Sequence, residues 1–434
     1  MSQCVIVAGG LGSRLSNAGI TKPKLLLEID GRTLLSYIVE EVVREGYTKI
    51  LFCLGFESEQ ILLAIRALRA PVQIDVSIEE SQLGTLGALE HARSKLDDFF
   101  TVIMGDTFLS CSNIGSLHSL CESLSLQAVT LCKFTDHPLD SDLVEINEFG
   151  QILRIFRASS HDSLPNVNIG LAGVSFISKE LINSEPSLQS RDITRHLFVE
   201  AMSSGIVIQA LFHQGTIRDL GTPQRLVSFL ETQSELALEP FSGFNQTILL
   251  DRDGTLNREN GHISVYSDIH IQDSGLQIAE RIKTERLNTY LITNQPVIAR
   301  GKASFGDVLK ICSVLLKQLD IWQGDDHIYV CPHYPESGFE GEIVDLKIEC
   351  TCRKPLPGLL LKAANDHKFR LTNATMIGDS RADVFAGLLV GARVVHLHQN
   401  FEGQCSFLTP LEQLLTCIDL EDAATAFAKV GCST

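Results

Sequence analysis

No tract of this 434-residue sequence is rich in serine, glycine or proline, and none repeats at a fixed period, which excludes a disordered chain and a solenoid. No apolar run reaches the roughly 18 residues that a membrane helix needs, and the first residues lack the basic flank and apolar core of a signal peptide. Positive charge is scarce: 36 lysines and arginines face 53 acidic residues, a net charge of −17. Such a balance repels a nucleic-acid backbone. The 12 cysteines are too dispersed for the disulfide framework of a small secreted domain. A soluble, cytoplasmic protein with no membrane or nucleic-acid partner is expected, most of its cysteines being buried thiols.

What is present is ordinary globular composition, 44% hydrophobic and 21% charged, in a chain longer than one core usually serves. Two domains are therefore expected. CVIVAGG reads as a buried strand ending in glycines, LLSYIVEEVVREGY as a helix, KILFCLGF as a strand and SEQILLAIRAL as a helix. TILLD, LQIAERIKTE and TYLIT repeat the alternation after residue 246. Strand–helix alternation implies α/β architecture with parallel sheets covered on both faces. The boundary falls near residue 240, where Pro240, Gly243 and Asn245 interrupt the pattern. The expected layout is a first domain at 1–238, a linker at 239–246, a second domain at 247–400 and a tail at 401–434. The tail carries an amphipathic helix whose stripe of Leu411, Leu414, Leu415 and Ile418 packs on the chain itself or, alternatively, on a second subunit.

In VIVAGGLGSRL (5–15) a strand empties into Gly9, Gly10 and Gly12, so backbone amides can meet phosphate, with Arg14 beside them for a charge-assisted grip. Taken alone, the turn is equally well structural. It is followed in order by TKPKLLLEIDG (21–31), QLGTLGAL (82–89), VIMGD (102–106), NIG (168–170) and IRDLGTP (217–223). The series resembles the sugar-1-phosphate nucleotidyltransferases over residues 1–235. The resemblance implies a Rossmann-like domain in which Gly9, Gly10, Gly12, Ser13 and Arg14 hold a nucleoside triphosphate and Lys24 contacts the reacting phosphates. It also implies that Gly84 and Thr85 line the base and ribose pocket, that Asp106 and Asp219 hold Mg2+, and that Asn168 and Gly170 contact the sugar. Asp106 also reads as a carboxylate capping a turn, and Asp219 as a turn and helix start. One departure concerns the Glu-Lys pair that the family carries for the sugar phosphate: RIFRASS (154–160) has no lysine, leaving Arg154 or Arg157 as substitutes that are not equivalent phosphate ligands.

ILLDRDGTLN (248–257) sets Asp251 and Asp253 just beyond a second buried strand, with Gly254 for the turn. LITNQ with Thr293, CRKP with Lys354 and MIGDSRADV with Asp379 and Asp383 follow. These motifs resemble the haloacid dehalogenase phosphatases, here without a large cap. By that resemblance Asp251 attacks phosphorus and Asp253 serves as acid and then base. Asp251, the Asp253 carbonyl and Asp379 hold Mg2+, while Thr293 and Lys354 hold the phosphoryl oxygens. Asp383 either orients Lys354 or caps a helix. TNQPVIARG (293–301) and CPHYPESGFEGEIVDLKIECTCRKP (331–355) further resemble the heptose 1,7-bisphosphate phosphatase branch, related to histidinol-phosphate phosphatase. Cys331, His333, Cys350 and Cys352 offer three thiolates and an imidazole, a set suited to structural Zn2+. Arg300 and Arg353 are candidate contacts to the substrate's second phosphate or hydroxyls. His327 and His367 read as surface or helix residues.

Two active sites on one chain suggest consecutive steps. Loss of the 7-phosphate from a sugar 1,7-bisphosphate yields a sugar 1-phosphate, the acceptor that the first domain requires. The resemblance thus implies a bifunctional, cytoplasmic enzyme of nucleotide-heptose synthesis for cell-surface polysaccharide, converting D-glycero-D-manno-heptose 1,7-bisphosphate to GDP-D-glycero-α-D-manno-heptose with GTP, Mg2+ and Zn2+. Open alternatives are another phosphorylated sugar or histidinol phosphate, another of ATP, CTP or UTP, and a transferase domain decayed to a regulatory nucleotide-binding module.

Overall fold

The computed structural model describes residues 3–10, 19, 22–55, 57–110, 113–135, 137–157, 165–183, 190–232, 247–259, 261 and 263–397. The expected linker and tail, together with Gly12, Ser13 and Arg14, lie outside the described residues. Contacts divide the chain into two compact units, Met1–Asn147 with Gln151–Pro240, and Phe241–Thr434 with Glu148–Gly150.

In the first unit the strand Gln3–Ala8 lies between two parallel neighbours, Lys49–Leu54 on one side and Phe99–Met104 on the other. The sheet continues through Gln73–Ile78 on the first side and, antiparallel, through Ile169–Ser178 on the second. Cys4, Val5 and Ile6 are fully buried, which explains the continuous apolar run: helices cover both faces of a parallel sheet. One covering helix, Leu34–Arg44, starts at Thr33, whose hydroxyl accepts from the Ser36 amide, and buries Leu34, Leu35, Ile38, Val39 and Val42. The strand order reverses between Gln3–Ala8 and Phe99–Met104, and a crevice opens there at the carboxyl ends of the strands. Gly9, Gly10 and Asp106 follow those two ends.

The second unit is a five-stranded parallel sheet, ordered Ile328–Cys331, Asn288–Asn294, Thr247–Leu250, Ala374–Gly378 and Arg393–His396. Thr247–Leu250 is central and wholly buried. Its neighbours are the second and fourth strands of the unit in chain order, so this unit also has its reversal beside the first strand. Asp251 and Asp379 follow the two strands that flank it. The two units are thus independently α/β and doubly wound.

Candidate active sites

At the end of Thr247–Leu250 the Asp251 amide donates to the Ile377 carbonyl at 2.9 Å, continuing the ladder one residue past the strand. The chain then turns through Gly254 at φ +76°, where a β-carbon would lie 1.8 Å from Asp379 Oδ2. Only glycine lets the two carboxylate-bearing loops approach this closely. Lys354 Nζ reaches Asp251 Oδ1 at 2.6 Å, Asp383 Oδ1 at 2.5 Å and the Ile292 carbonyl at 2.7 Å. Lys354 is 4% exposed, so its charge is offset by protein carboxylates rather than by water. Burial pushes the Asp251 carboxyl up to about 8; Lys354 opposes this, and the Asp383 and Asp253 carboxylates add to it. Burial and then Asp383 likewise raise Asp379 to about 6. Although burial disfavours the Lys354 ammonium, the two carboxylates hold its pKa above the ordinary lysine value.

Asp253 is held by three partners. Arg252, 1% exposed, donates from Nη2 at 2.8 Å; Gln295 Nε2 donates at 2.8 Å; and Asn257 Nδ2 donates at 3.0 Å. Gln295 also donates to the Thr293 hydroxyl at 2.8 Å, and its carbonyl oxygen accepts from Arg252 at 2.9 Å. Asn294 fixes Lys354 through its backbone, donating to the Lys354 carbonyl at 3.0 Å and accepting from its amide at 3.1 Å. Asp383 performs both roles that the sequence left open. Its Oδ1 meets Lys354, while Oδ2 accepts from the Ser380 amide at 3.1 Å in the capping box of helix Arg381–Leu388. A carboxylate beside a fixed cation, a second carboxylate in a donor cradle and a third across the turn can divide nucleophilic attack, proton transfer and cation binding among them. Asp251, Asp379 and Asp383 bring carboxylate oxygens within 4.8 Å of one another, a hard donor set that fits Mg2+.

Beside Lys354, Cys331, His333, Cys350 and Cys352 bring one donor atom each within the same 4.8 Å. The sulfur–sulfur separations are 3.3 to 3.7 Å, and His333 Nδ1 is 3.2 Å from Cys352 Sγ. Donors at that spacing on a tetrahedron leave room for a central Zn2+ with bonds of about 2.0–2.3 Å. Arg300 and Arg353 lie over the Tyr334 ring at 4.6 and 5.0 Å, and Arg300 also covers Phe339 at 4.2 Å. The Cys/His loop thus carries aromatic faces against which both cations rest.

The first unit has a cavity of about 480 Å³ at its sheet reversal. Gly9, Gly10, Gly84, Thr85, Lys24, Asp106 and Asp219 all line it. Lys24 Nζ is 2.6 Å from Asp106 Oδ2. A β-carbon on Gly221 would meet Asp219 Oδ1 at 2.8 Å, Asp106 Oδ2 at 2.9 Å and Lys24 Nζ at 3.2 Å, which places all three groups around one glycine. The Leu220 amide donates to the Asp106 carbonyl at 2.8 Å, and Thr107 is in register with Asp219. Asp219 is also paired with Arg225. Gly84 sits at φ +77°, 2.2 Å in β-carbon terms from the Arg191 carbonyl, and the Thr85 hydroxyl accepts from the Ile193 amide at 2.9 Å. These contacts fasten the start of helix Gly84–His91 to the segment carrying Asp192, Thr194 and Arg195, which also line the cavity.

Comparison with known proteins agrees with this division. Residues 4–182 match the MobA-like NTP transferase domain, and residues 351–410 match the HAD-hydrolase-like family. Over 146 residues the chain is 35% identical to D-glycero-beta-D-manno-heptose-1,7-bisphosphate 7-phosphatase of Helicobacter pylori strain J99, covering 33% of this chain and 78% of that protein. Through its second domain, the chain belongs to the heptose-bisphosphate phosphatase family. The beta-heptose enzyme of Escherichia coli K12 is 32% identical, over 34% of this chain and 77% of its own length. Another member, D-glycero-alpha-D-manno-heptose-1,7-bisphosphate 7-phosphatase of Burkholderia mallei, is also 32% identical, over 34% of this chain and 76% of its own. Of solved structures, HddC from Yersinia pseudotuberculosis aligns at 22% identity and a TM-score of 0.45 over 54% of this chain and 100% of that one; its complex with GMP-PN gives the same figures. The chain is a bifunctional enzyme that joins a nucleotidyltransferase domain to a HAD phosphatase domain.

Among the residues singled out from sequence, Asp251, Asp253, Thr293, Lys354, Asp379 and Asp383 converge at the phosphatase-family site. Lys24, Asp106, Asp219, Gly9, Gly10, Gly84 and Thr85 converge at the cavity of the other domain. Asn168 and Gly170 do not line that cavity; the Asn168 carbonyl accepts from the Thr135 amide at 3.0 Å, and Gly173 is the cavity residue of the same strand. Arg154 lies over the Phe156 ring at 4.5 Å, and neither it nor Arg157 lines the cavity, whose described basic residues are Lys22, Lys24 and Arg195. Sequence reading passed over Arg252, Asn257, Asn294 and Gln295, although all four sit inside the quoted motifs. It also passed over Glu79. That carboxylate is 9% exposed, lines the cavity and approaches both Gly9 and Gly55, whose β-carbons would lie 2.3 and 2.9 Å from its Oε1. Among the described residues its buried Oε2 has no hydrogen-bond partner.

Proposed function

We propose that the chain converts D-glycero-D-manno-heptose 1,7-bisphosphate to GDP-heptose in two consecutive steps, the phosphatase domain acting first. The observation that carries this reading is the presence, on one chain, of a heptose-bisphosphate phosphatase domain and a nucleotidyltransferase domain with a cavity at its sheet reversal. The first site releases a sugar 1-phosphate, and the second site needs one. Asp251 attacks the 7-phosphorus and forms an aspartyl phosphate, Asp253 protonates the departing sugar oxygen, and Thr293 and Lys354 hold the phosphoryl oxygens. Asp253, kept in place by Arg252, Gln295 and Asn257, then takes a proton from the water that hydrolyses the intermediate. Arg300 and Arg353, resting on Tyr334, receive the 1-phosphate or the sugar hydroxyls.

In the transferase cavity the 1-phosphate oxygen attacks the α-phosphorus of the nucleotide in line, and pyrophosphate leaves. Alignment and charge supply the catalysis, since no covalent intermediate is needed. Lys24, paired with Asp106, contacts the reacting phosphates, Arg14 adds a second cation to the nucleotide, and Arg195 takes the sugar-phosphate role left vacant by RIFRASS. Magnesium would be held by Asp251, the Asp253 carbonyl and Asp379 in one domain and by Asp106 and Asp219 in the other, and would supply neutralisation of phosphate charge. Zinc would be held by Cys331, His333, Cys350 and Cys352 and would be structural.

Guanine is favoured by Glu79. A carboxylate that lines the cavity can accept from two adjacent donors, and of the four bases guanine alone presents two, N1–H and the 2-amino group, side by side. Adenine and cytosine offer one donor beside a repelling lone pair, and uracil offers one donor between two carbonyls. Incubation with the bisphosphate, Mg2+ and each of GTP, ATP, CTP and UTP in turn, followed by mass spectrometry, tests the reading. Phosphate, pyrophosphate and GDP-heptose are expected with GTP; phosphate alone with every nucleotide would remove the transferase half.

A further inference from the structure

At the end of the phosphatase sheet opposite the catalytic loops, two histidines that sequence gave no role come together with an aspartate. Asp326 and His327 lie in the short 3-10 turn that precedes strand Ile328–Cys331, and His367 is the last residue of helix Gly358–His367. Asp326, His327 and His367 each bring one donor atom within 4.8 Å of the others. Cys331 is four steps of extended strand, about 13 Å, beyond His327, so this cluster is not part of the Cys/His centre.

Three features set the histidine nitrogens for ligation. His327 Nδ1 is 3.0 Å from the Thr289 carbonyl oxygen, which only accepts, so Nδ1 carries the proton and Nε2 keeps its lone pair. His367 Nε2 is 3.1 Å from the Asp326 carbonyl oxygen, which leaves the lone pair on Nδ1 by the same reasoning. A backbone carbonyl on one ring nitrogen is the outer-shell arrangement that orients metal-binding imidazoles. Tyr290 then fixes both rings, stacking on His327 at 4.5 Å and 9° and meeting His367 at 4.7 Å, while the two imidazoles are 4.6 Å apart. Gly324 gives the carboxylate its place, since a β-carbon there would lie 2.2 Å from Asp326 Oδ1. Nearby Asp366 is engaged elsewhere, by Tyr329 and Lys362 at 2.9 Å each.

We infer that Asp326, His327 and His367 form a second transition-metal site, distinct from the Cys/His centre and from the catalytic carboxylates. Two imidazoles and one carboxylate suit Zn2+, Ni2+ or Cu2+ rather than Mg2+, and the partial exposure of the cluster lets water complete the coordination. A bound ion clips the end of helix Gly358–His367 to the start of strand Ile328–Cys331, and these are the two elements whose other ends carry the Cys/His loop and its continuation past Lys354.

The test uses the full-length protein with its Cys/His centre already loaded with zinc. Zinc is then titrated by equilibrium dialysis, and Cu2+ is added separately for electron paramagnetic resonance. The wild-type chain is expected to take up one further zinc and to show two-nitrogen hyperfine splitting from copper. His327→Gln and His367→Gln should each weaken this uptake by at least the about 10- to 100-fold that follows loss of an outer-shell partner, and should leave phosphate release intact. Asp326→Asn, which keeps both rings stacked, should also weaken uptake and so decides the matter if a histidine variant fails to fold. No further zinc on the wild type, or equal uptake by wild type and all three variants, would show that the rings form an aromatic stack only.

Discussion

Lys354 Nζ lies 2.6 Å from Asp251 Oδ1 although the two residues are 103 positions apart, and the pair is buried. Removing the lysine leaves Asp251 and Asp383 without their cation, a change that costs about 3–5 kcal/mol for a buried pair. Lys354→Met should lower phosphate release by two or more orders of magnitude and depress the melting temperature of the phosphatase domain, while nucleotidyl transfer to heptose 1-phosphate is unaffected. Parallel phosphate and pyrophosphate assays with thermal melting check this.

Burial raises the Asp251 carboxyl to about 8 and Asp379 to about 6, so protons compete with Mg2+ for these groups across the neutral range. The direction follows from linkage. A carboxyl whose folded pKa is raised contributes stability that is complete below about pH 4, its unfolded value, and is lost as pH climbs through the folded pKa. Without metal, the phosphatase domain should therefore lose stability between pH 4 and 8. Mg2+ should bind more tightly as pH rises from 6 to 8 and should release protons, by up to about tenfold per pH unit for each proton displaced. Calorimetry in buffers of different ionisation enthalpy measures the proton count. A pH-independent affinity would contradict the assignment.

Glu79→Gln replaces two acceptors by one acceptor and one donor, a pattern that adenine, cytosine and uracil each complement and guanine's two adjacent donors do not. The expected outcome is a loss of kcat/KM for GTP of roughly 5- to 150-fold, the span of about 1–3 kcal/mol for one bidentate base contact, with a relative gain for the other three nucleotides. Steady-state rates with the four nucleotides decide it, and an unchanged preference would remove Glu79 from base selection.

Cys350→Ser removes one thiolate of the four-donor cluster. Zinc content should fall by one ion per chain, the segment between Cys331 and Cys352 should become open to protease, and phosphatase activity should drop because Lys354 is two residues beyond the last ligand. Nucleotidyl transfer should stay. Metal analysis with limited proteolysis reads both effects.

Much of this site chemistry was legible in the sequence because each motif concentrates its reacting groups within a few residues of a strand end. Asp251 and Asp253 in ILLDRDGTLN, and Cys331 with His333, are such cases. Their supports were not, because they act across the fold: Gln295 meets Asp253 over 42 positions, and nothing in LITNQ separates its catalytic from its positioning side chains. Glu79 was hidden for a related reason. Its role depends on burial and on two glycines at positions 9 and 55, neither adjacent in sequence. His327 and His367 do occupy a helical turn and a helix end, as their surroundings suggested, yet periodicity could not show that the intervening 39 residues return one ring to the other. RIFRASS showed that a lysine was missing without showing that its arginines lie away from the cavity.

The most direct test of consecutive action compares Asp251→Asn protein with wild type, supplying GTP and Mg2+ with either heptose 1,7-bisphosphate or heptose 1-phosphate and following nucleotide sugar by mass. Wild type should make GDP-heptose from both, and Asp251→Asn should make it from the 1-phosphate alone. GDP-heptose 7-phosphate formed from the bisphosphate by the variant, with pyrophosphate but no phosphate released, would contradict the proposed order of the two steps.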